Sequence, residues 1–380
     1  MKAHHAPTLP RNESLISVGL EIGTTKICAA VGEVIPDGTL NIRGIASAPS
    51  LGVSRGEIVD FDTVQKCVRK VLADAEKICD MRIKSVNLAI TGSHIQSFNT
   101  RGTVNISGHP RKIEKSYCAR VQAKANLVRI PAHDIIIHTI PQHFYLDGRE
   151  RISNPVGLVG KRVEVDVHII HGNRDKTQDF IRCVEELDIK VENVVFNPYA
   201  AAQAVLNQRQ KDLGALVIDM GGGTTDYIAY VNGAVKQSGV IAVGGLHIHN
   251  DLSIGFRVPF KLAEKLKIEE GTVFLGKTTT DKMIILQKEP GFPGREIKRE
   301  TLIVVIRERV KQILTELKSR IVTEQNLDLL KAGIILTGGT SMLNGISQLA
   351  EEILQIPVHL ADSPQTSTAI GLLHFEQMRL

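Results

Sequence analysis

Two hydrophobic periods share this chain, and the places where one gives way to the other mark its elements. Short apolar runs come first, at Ser17 to Ile22 and Cys28 to Val31. A stripe of Val64, Cys67, Val68, Val71, Leu72, Ala75 and Ile78 follows Asp60-Phe61-Asp62, which predicts a capped helix with one buried face. Alternation returns at Val86, Leu88 and Ile90, at Ile135 to Ile140, and at Val163, Val165 and Val167, around a helix expected from Lys112 to Leu127. His168 to His171 reads as a strand, Thr177 to Leu187 as a helix and Asn197 to Gln208 as a connecting helix. The second half opens near Asp212. It holds apolar runs at Ala215 to Ile218 and Ala229 to Val231 and a helix from Pro259 to Ile268. A Pro/Gly-rich loop, Glu289 to Gly294, precedes a long amphipathic helix from about Glu300 to Thr323. Its stripe of Ile303, Ile306, Val310, Ile313, Leu314, Leu317 and Ile321 reads as core packing and not as a partner groove. The fold class is α/β. Residues 1–13 are polar, contain Pro7 and Pro10, and are expected to form a disordered tail.

Two of the apolar runs lead into the same device. Gly19-Leu20-Glu21-Ile22-Gly23-Thr24-Thr25-Lys26 and Ile218-Asp219-Met220-Gly221-Gly222-Gly223-Thr224-Thr225-Asp226 each place a carboxylate near a strand end, turn through Gly and Thr, and enter another strand. Such hairpin tips let backbone N–H groups and Thr hydroxyls cradle phosphates. Two of them face to face, each with a carboxylate behind it, describe a clamp for a nucleoside triphosphate and Mg²⁺. Phosphate contacts are expected from Gly23, Thr24, Thr25, Lys26, Gly221, Gly222, Gly223, Thr224 and Thr225, with Lys26 adding a charge-assisted bond. Asp219 and Glu21 are the expected Mg²⁺ residues, acting through water. No Gly-Lys-Ser/Thr follows the glycines, and the turns lead into strands and not helices. A P-loop and a dinucleotide fingerprint are therefore both excluded.

A third element, Ile334-Ile335-Leu336-Thr337-Gly338-Gly339-Thr340-Ser341, ends a buried strand in a diglycine. A base or ribose is expected to lie against Gly338 and Gly339, near Ser341, with the next helix aimed at it. Glu264 and Lys267, one turn apart, are placed to bond ribose hydroxyls and flank the adenine, although the pair alone reads as a solvated helix face.

Composition narrows the classes. Apolar content of 43% and charged content of 23% suit large cores with a soluble surface, as in a cytosolic globular protein. Five scattered cysteines with no C-x-x-C pair read as reduced thiols. Thirteen histidines invite a metal site, but His247-x-His249, read as one face of a strand, finds no third ligand. A net charge of +5 with ten Phe, five Tyr and no Trp gives no basic, aromatic stripe for nucleic acid.

The paired hairpins, the connector Asn197-Pro198-Tyr199-Ala200-Ala201-Ala202 and the late Thr-Gly-Gly strand resemble the actin/Hsp70/sugar-kinase ATPase superfamily. Within it, the chain from about Ser14 onwards resembles the FtsA family of bacterial cell-division proteins. The residues that carry this are Gly19 to Lys26 with Val31-Gly32-Glu33, Gly52-Val53-Ser54-Arg55-Gly56, Ala89 to Ile95, Val243-Gly244-Gly245-Leu246-His247 with Asn250-Asp251-Leu252, and Phe260 to Lys267. The resemblance implies an actin-like fold of two lobes around a nucleotide cleft, with a small inserted αβ domain of the SHS2 type serving protein contacts. The division expected is 14–84 with 168–211 for the first lobe, 85–167 for the insertion, and 212–380 for the second lobe, including a small subdomain at about 250–323.

It further implies ATP and Mg²⁺ as ligands and the tubulin-like FtsZ, other division proteins and further copies of the chain as partners. The implied place is the cytoplasmic face of the inner membrane at the septum. Asn197-Pro198 stands where several superfamily ATPases carry Glu-Pro, and an amide cannot take a proton from water. No catalytic residue is assigned, and the expectation is weak ATP turnover at most. Relatives usually end in a linker and a basic amphipathic helix. Here the sequence closes on His374 to Leu380, directly after a helix at Thr368 to Leu373, so either a trimmed form or membrane attachment through a partner is expected. A pilus-assembly platform protein and a sugar-kinase-like phosphotransferase remain the alternatives.

Overall fold

The computed structural model describes residues 15–35, 39–274, 282–288, 292–321 and 327–375. The expected tail 1–13, residues 289–291 of the Pro/Gly loop and residues 376–380 lie outside these.

The first sheet is built outward from its hairpin. β1 (Leu15–Ile22) pairs antiparallel with β2 (Lys26–Val34), and β2 with β3 (Leu40–Pro49). α1 (Phe61–Cys79) starts where Asp60 Oδ1 accepts from Thr63 N at 3.1 Å, and buries Val64, Val68, Val71, Leu72 and Ala75. β4 (Ser85–Ile90) then joins β1 in parallel. This corrects the expected boundary, which put residues from 85 in the insertion. Val86 to Ile90 are all buried, as a parallel strand covered on both faces requires.

The insertion is a four-stranded sheet with one helix. Its elements are β5 (Gln96–Asn105), α2 (Lys115–Ala125), β6 (Asp134–Leu146), β7 (Arg149–Ile152) and β8 (Arg162–Asn173), in the order β7-β6-β8-β5. Val121 and Ala125 of α2 close a core that includes Val104, Phe144, Leu146, Val163, Val165 and Val167. His168 to His171, expected in the first lobe, continue β8, whose ladder with β5 runs unbroken from Arg162 to His171. The chain returns through α3 (Arg174–Glu185) and β9 (Lys190–Phe196), which lies parallel to β4, and enters α4 (Asn197–Val205).

The second lobe repeats the plan. β10 (Ala215–Met220), β11 (Thr225–Val231) and β12 (Ala234–Ile241) are antiparallel neighbours. α5 (Gly245–Phe256), α6 (Phe260–Glu270) and α7 (Arg299–Ile321) follow, then β13 (Ile334–Thr337), α8 (Ile346–Leu354), β14 (Val358–Leu360) and α9 (Ser367–Leu372). The sheet orders are β3-β2-β1-β4-β9 and β12-β11-β10-β13-β14. Each is a three-strand meander extended by two parallel strands, so each presents its hairpin tip at the same corner. The residues expected as a small subdomain, about 250–323, share one apolar core with the second sheet, in which Leu216, Ile218 and Leu336 meet Leu252, Leu262 and Ile313.

α4 and α9 pack together between the sheets. Asn87 Nδ2 donates to the Leu372 carbonyl at 3.1 Å and ties α9 to the first lobe. The approach is close enough that a Cβ at Gly371 would overlap the Ala200 carbonyl. The insertion also reaches the second lobe. Ser97 Oγ donates to the Ser238 carbonyl at 2.7 Å, and His168 Nε2 lies 2.8 Å from Ser238 Oγ. Burial pulls the His168 pKa down to about 4, so this link is a neutral hydrogen bond.

Gly371→Ala is expected to destabilise the protein by about 1–3 kcal/mol, since the α4–α9 contact has no volume to give. Urea unfolding measures this, and an unchanged midpoint would contradict the packing.

Candidate functional site

Each hairpin fixes its own tip. In the first, Gly23 N–H closes on the Lys26 carbonyl at 2.9 Å and Ser50 N–H on that of Thr25 at 3.0 Å. In the second, Gly221 N–H closes on the Thr224 carbonyl at 2.9 Å. The start of α5 then takes up the tip's carbonyls. Gly245 N–H donates to Gly221 at 2.9 Å, Leu246 N–H to Gly222 at 2.8 Å, and Thr340 Oγ1 also to Gly221 at 2.9 Å. With those carbonyls engaged, the tip offers the cleft N–H donors, the polarity an anion needs. The two tips meet: a side chain at Gly222 would run into Thr25, and one at Gly223 into Thr24 and the Arg55 backbone. Glycine is required there by space. Gly56 N–H donates to Thr24 Oγ1 at 3.3 Å, so the Gly52–Gly56 loop closes one side.

The charge behind the tips is negative and buried. Asp219 and Asp226 face each other across the second hairpin, at 7% and 2% exposure. Burial, then the nearby Glu21 carboxylate, push Asp219 up to about 7 from its usual 3.8, against the Thr368 hydroxyl, which donates to its Oδ2 at 3.2 Å, and the Lys26 charge. Burial, then Asp219, raise Asp226 well above the usual carboxylate value as well. Lys26 Nζ lies 3.6 Å from Glu21. Burial works against its charge, but Glu21 and Asp219 outweigh it and leave its pKa raised. Among the described residues no three His, Cys, Asp or Glu side chains cluster as direct metal ligands. Asp219 and Glu21 therefore fit a hard cation held mainly by phosphate oxygens and water, with two carboxylates as outer partners.

One cleft of about 420 Å³ gathers nearly all the expected residues: Glu21, Gly23 to Lys26, Asp219, Gly221 to Thr224, Glu264, Lys267, Gly338 and Gly339. Nothing stands within 4 Å of where a Gly339 Cβ would be, which leaves a side-chain-free wall. Gly338 takes φ of 85°, a left-handed turn suited to glycine. Two expected residues do not line the cleft. Thr225 is fully buried and spends its hydroxyl on the Val243 carbonyl at 2.8 Å. Ser341 points inward and donates to the Gly338 carbonyl at 2.6 Å. His247 and His249, read as a strand, sit on α5, where they cannot share a face. Lys267 is half-buried where it lines the cleft, and this desolvation pulls its pKa down to about 8, so it is not on a freely solvated face. A larger groove of about 530 Å³, bordered by Ile135 to Pro141 of β6 and by Val194 and Tyr199, holds none of the expected residues.

Asn197, expected at the place of a catalytic Glu, lines the cleft, and Thr91, Gly245, His249, Thr340, Gln365 and Thr368 join it without having been singled out for it. Ordinary polar residues at strand ends and helix starts carry no periodic or spacing signal, so only the fold could assemble them. Three buried oxygens in the cleft lack a hydrogen-bond partner: Thr91 Oγ1, Asn197 Oδ1 and Asp226 Oδ1. The Thr91 and Thr224 hydroxyls lie near enough to the Asp226 carboxyl to favour its charge, though neither bonds Oδ1 in good geometry. A polar cleft with orphaned oxygens behind two donor-rich tips is suited to a charged, hydrated ligand.

The raised Asp219 has a consequence for stability. A carboxyl with folded pKa above its unfolded value costs stability as pH rises from about 3.8 to about 7, and the cost is complete above that window. Asp219→Asn should therefore raise the melting temperature of nucleotide-free protein at pH 8, with the gain shrinking towards pH 4. Equal melting curves at pH 8 would refute the buried charge.

Comparison with known proteins agrees with this geometry. Residues 216–371 match the family described as cell division protein FtsA, and residues 92–171 the SHS2 domain inserted in FtsA. The chain is 35% identical over 382 residues to cell division protein FtsA of Escherichia coli (strain K12), covering 94% of this chain and 89% of that protein. Against FtsA of Pseudomonas aeruginosa it is 33% identical over 370 residues, covering 94% and 88%. Among solved structures, a PilM–PilN type IV pilus biogenesis complex matches with TM-score 0.68 at 16% identity, over 96% of this chain and 98% of that one. MreB5 of Spiroplasma citri bound to ADP matches with TM-score 0.58 at 16% identity, over 97% and 98%. At these identities the structural likeness shows the fold, a two-lobed actin-like architecture, and the family match adds an SHS2 insertion. The sequence likeness, at a third of positions over nearly the whole chain, shows more: the chain belongs to the FtsA family of cell-division proteins.

Proposed function

We propose that this actin-like cell-division protein binds ATP with Mg²⁺ in the cleft, links the FtsZ ring to the cytoplasmic face of the membrane at the septum, assembles with copies of itself and recruits later division proteins. The observation that carries the nucleotide part is the meeting of two Gly/Thr hairpin tips over the buried Asp219. FtsA family membership supports the partners, and favours this reading over a pilus platform or a sugar-kinase-like phosphotransferase. MreB5 of Spiroplasma citri was solved bound to ADP and to AMPPNP, which supports a nucleotide in a cleft of this fold. In this reading the insertion, from Gln96 to Asn173, serves protein contacts.

The cleft's residues divide the work. The N–H groups and hydroxyls of Thr24, Thr25, Gly222, Gly223 and Thr224 hold phosphate oxygens, Gly23 closes the first tip through its bond to Lys26, and Lys26 adds charge. Mg²⁺ would offset phosphate charge, with Asp219 and Glu21 behind it through water. Gly338 and Gly339 provide a flat wall for the nucleoside, with Glu264 and Lys267 beside it. ATP then favours the lobe arrangement that binds it more tightly, and so biases assembly.

Hydrolysis lacks a competent base. Asn197 at the start of α4 presents an amide, which accepts no proton. Asp226 lines the same cleft as Asn197, and burial with the neighbouring Asp219 raises its pKa well above the ordinary carboxylate value, which works against its ionised, proton-accepting form.

Asp219→Ala is therefore expected to abolish Mg·ATP binding in a folded protein, checked by fluorescence titration beside circular dichroism. Equal affinity would remove Asp219 from the site. Purified protein should turn ATP over far below the enzyme median of about 10 s⁻¹, with Asn197→Glu faster than wild type. An ordinary enzymatic rate would reveal a base elsewhere. The partner reading is tested by co-sedimentation with FtsZ polymers, with and without anionic vesicles. Protein left wholly in the supernatant under both conditions would sink it.

A further inference from the structure

His249 borders the cleft with no task assigned to it. It lies on α5, one turn beyond Gly245, and is 4% exposed. Neither Nδ1 nor Nε2 has a hydrogen-bond partner. Folded proteins seldom leave both nitrogens of a buried imidazole unpaired, because each has given up water for nothing. Phe260 packs edge-on against the ring, at 5.6 Å between centroids. Burial and the nearby Lys267 charge pull the imidazole down to about 3. At neutral pH it is uncharged, with one donor and one acceptor.

Its place along α5 limits what it can meet. The helix begins at the phosphate tip, where Gly245 N–H bonds the Gly221 carbonyl. Four residues at 1.5 Å rise carry His249 about 6 Å further from that tip, on the same face. Lys267 of α6 is near enough for its charge to act on the imidazole, and Glu264, one turn earlier on α6, lines the same cleft. The distance is too great for the phosphates gripped by the tips and suits the next part of a nucleotide, the sugar. The chemistry agrees. A hydroxyl both donates and accepts, so a neutral imidazole beside a carboxylate complements a vicinal diol. A phosphate would call for charge, and a purine face for the bare wall at Gly338 and Gly339.

We propose that His249 reads the sugar of the bound nucleotide, bonding the ribose 2′-hydroxyl while Glu264 takes the 3′-hydroxyl, and so makes the cleft selective for ribonucleotides over 2′-deoxyribonucleotides. This rests on the nucleotide reading given above. It also gives one of the two unpaired nitrogens a partner that arrives with the ligand.

The test measures ATP and 2′-deoxy-ATP affinities by calorimetry, in the presence of Mg²⁺, for the full chain and for His249→Phe and His249→Gln. Melting of the nucleotide-free proteins is followed in parallel. Wild type should favour ATP by about tenfold, the value of one hydrogen bond of about 1.4 kcal/mol. His249→Phe keeps the packing against Phe260 and removes the unpaired nitrogens. Its melting temperature should match or exceed wild type, while its ATP affinity falls about tenfold to the level of 2′-deoxy-ATP. His249→Gln, which restores a donor and an acceptor, should recover part of the preference. Failure of wild type to bind either nucleotide would overturn the nucleotide reading itself. Binding of both, with a ratio near one in wild type or an unchanged ratio in both variants, would leave that reading intact and overturn the role of His249.

Discussion

Glu21, Asp219 and Asp226 crowd the base of one cleft, and the Lys26 ammonium does not cancel them. Carboxylates buried together resist ionisation, which is why Asp219 and Asp226 are both raised. A fold selected for stability alone would not keep such a group. A ligand that brings positive charge would relieve it, as the proposed hydrated cation with a polyphosphate would. In that proposal the tips above the carboxylates take the anion, and the acids behind them face the cation.

The rest of the architecture keeps that arrangement in place. Two sheets of the same topology bring their hairpins to one corner, and α5 and Thr340 secure the second tip by its carbonyls. α4 and α9 pack between the sheets with no spare volume at Gly371. Thr368 of α9 reaches Asp219, so the helix that ties the lobes also touches the charge centre. The insertion adds a second link through Ser97, His168 and Ser238. A change in how the lobes sit would have to break or rearrange these neutral bonds, which gives the insertion a physical connection to the cleft.

Much of this was legible in the residues. The two hairpins announce themselves because phosphate cradling restricts composition: glycine where tips touch, Thr for hydroxyls, an acid behind. The stripes of α1 and α7 were readable for a different reason, since a helix with one buried face must repeat every three to four residues. Boundaries were harder. Val86, Leu88 and Ile90 alternate like an insertion strand, yet β4 is buried on both faces in the first sheet, and the intervening positions Asn87 and Ala89 gave no sign of it. Thr225 and Ser341 fit the motif but turn inward, because strand pairing and a tight turn dictate where their hydroxyls point.

The sequence alone therefore determined the family, the α/β class and the two Gly/Thr hairpins with an acid behind each, because these depend on local chemistry that fixes residue type at fixed spacing. The tertiary structure alone decided which residues from distant segments meet. Thr91, Asn197, His249 and Thr368 share a cleft only because four separate elements end at one corner. Their burial and missing partners, and hence the raised acids and the neutral imidazole, arise from that convergence. A group's electrostatic state depends on what surrounds it in space, and no spacing along the chain encodes that.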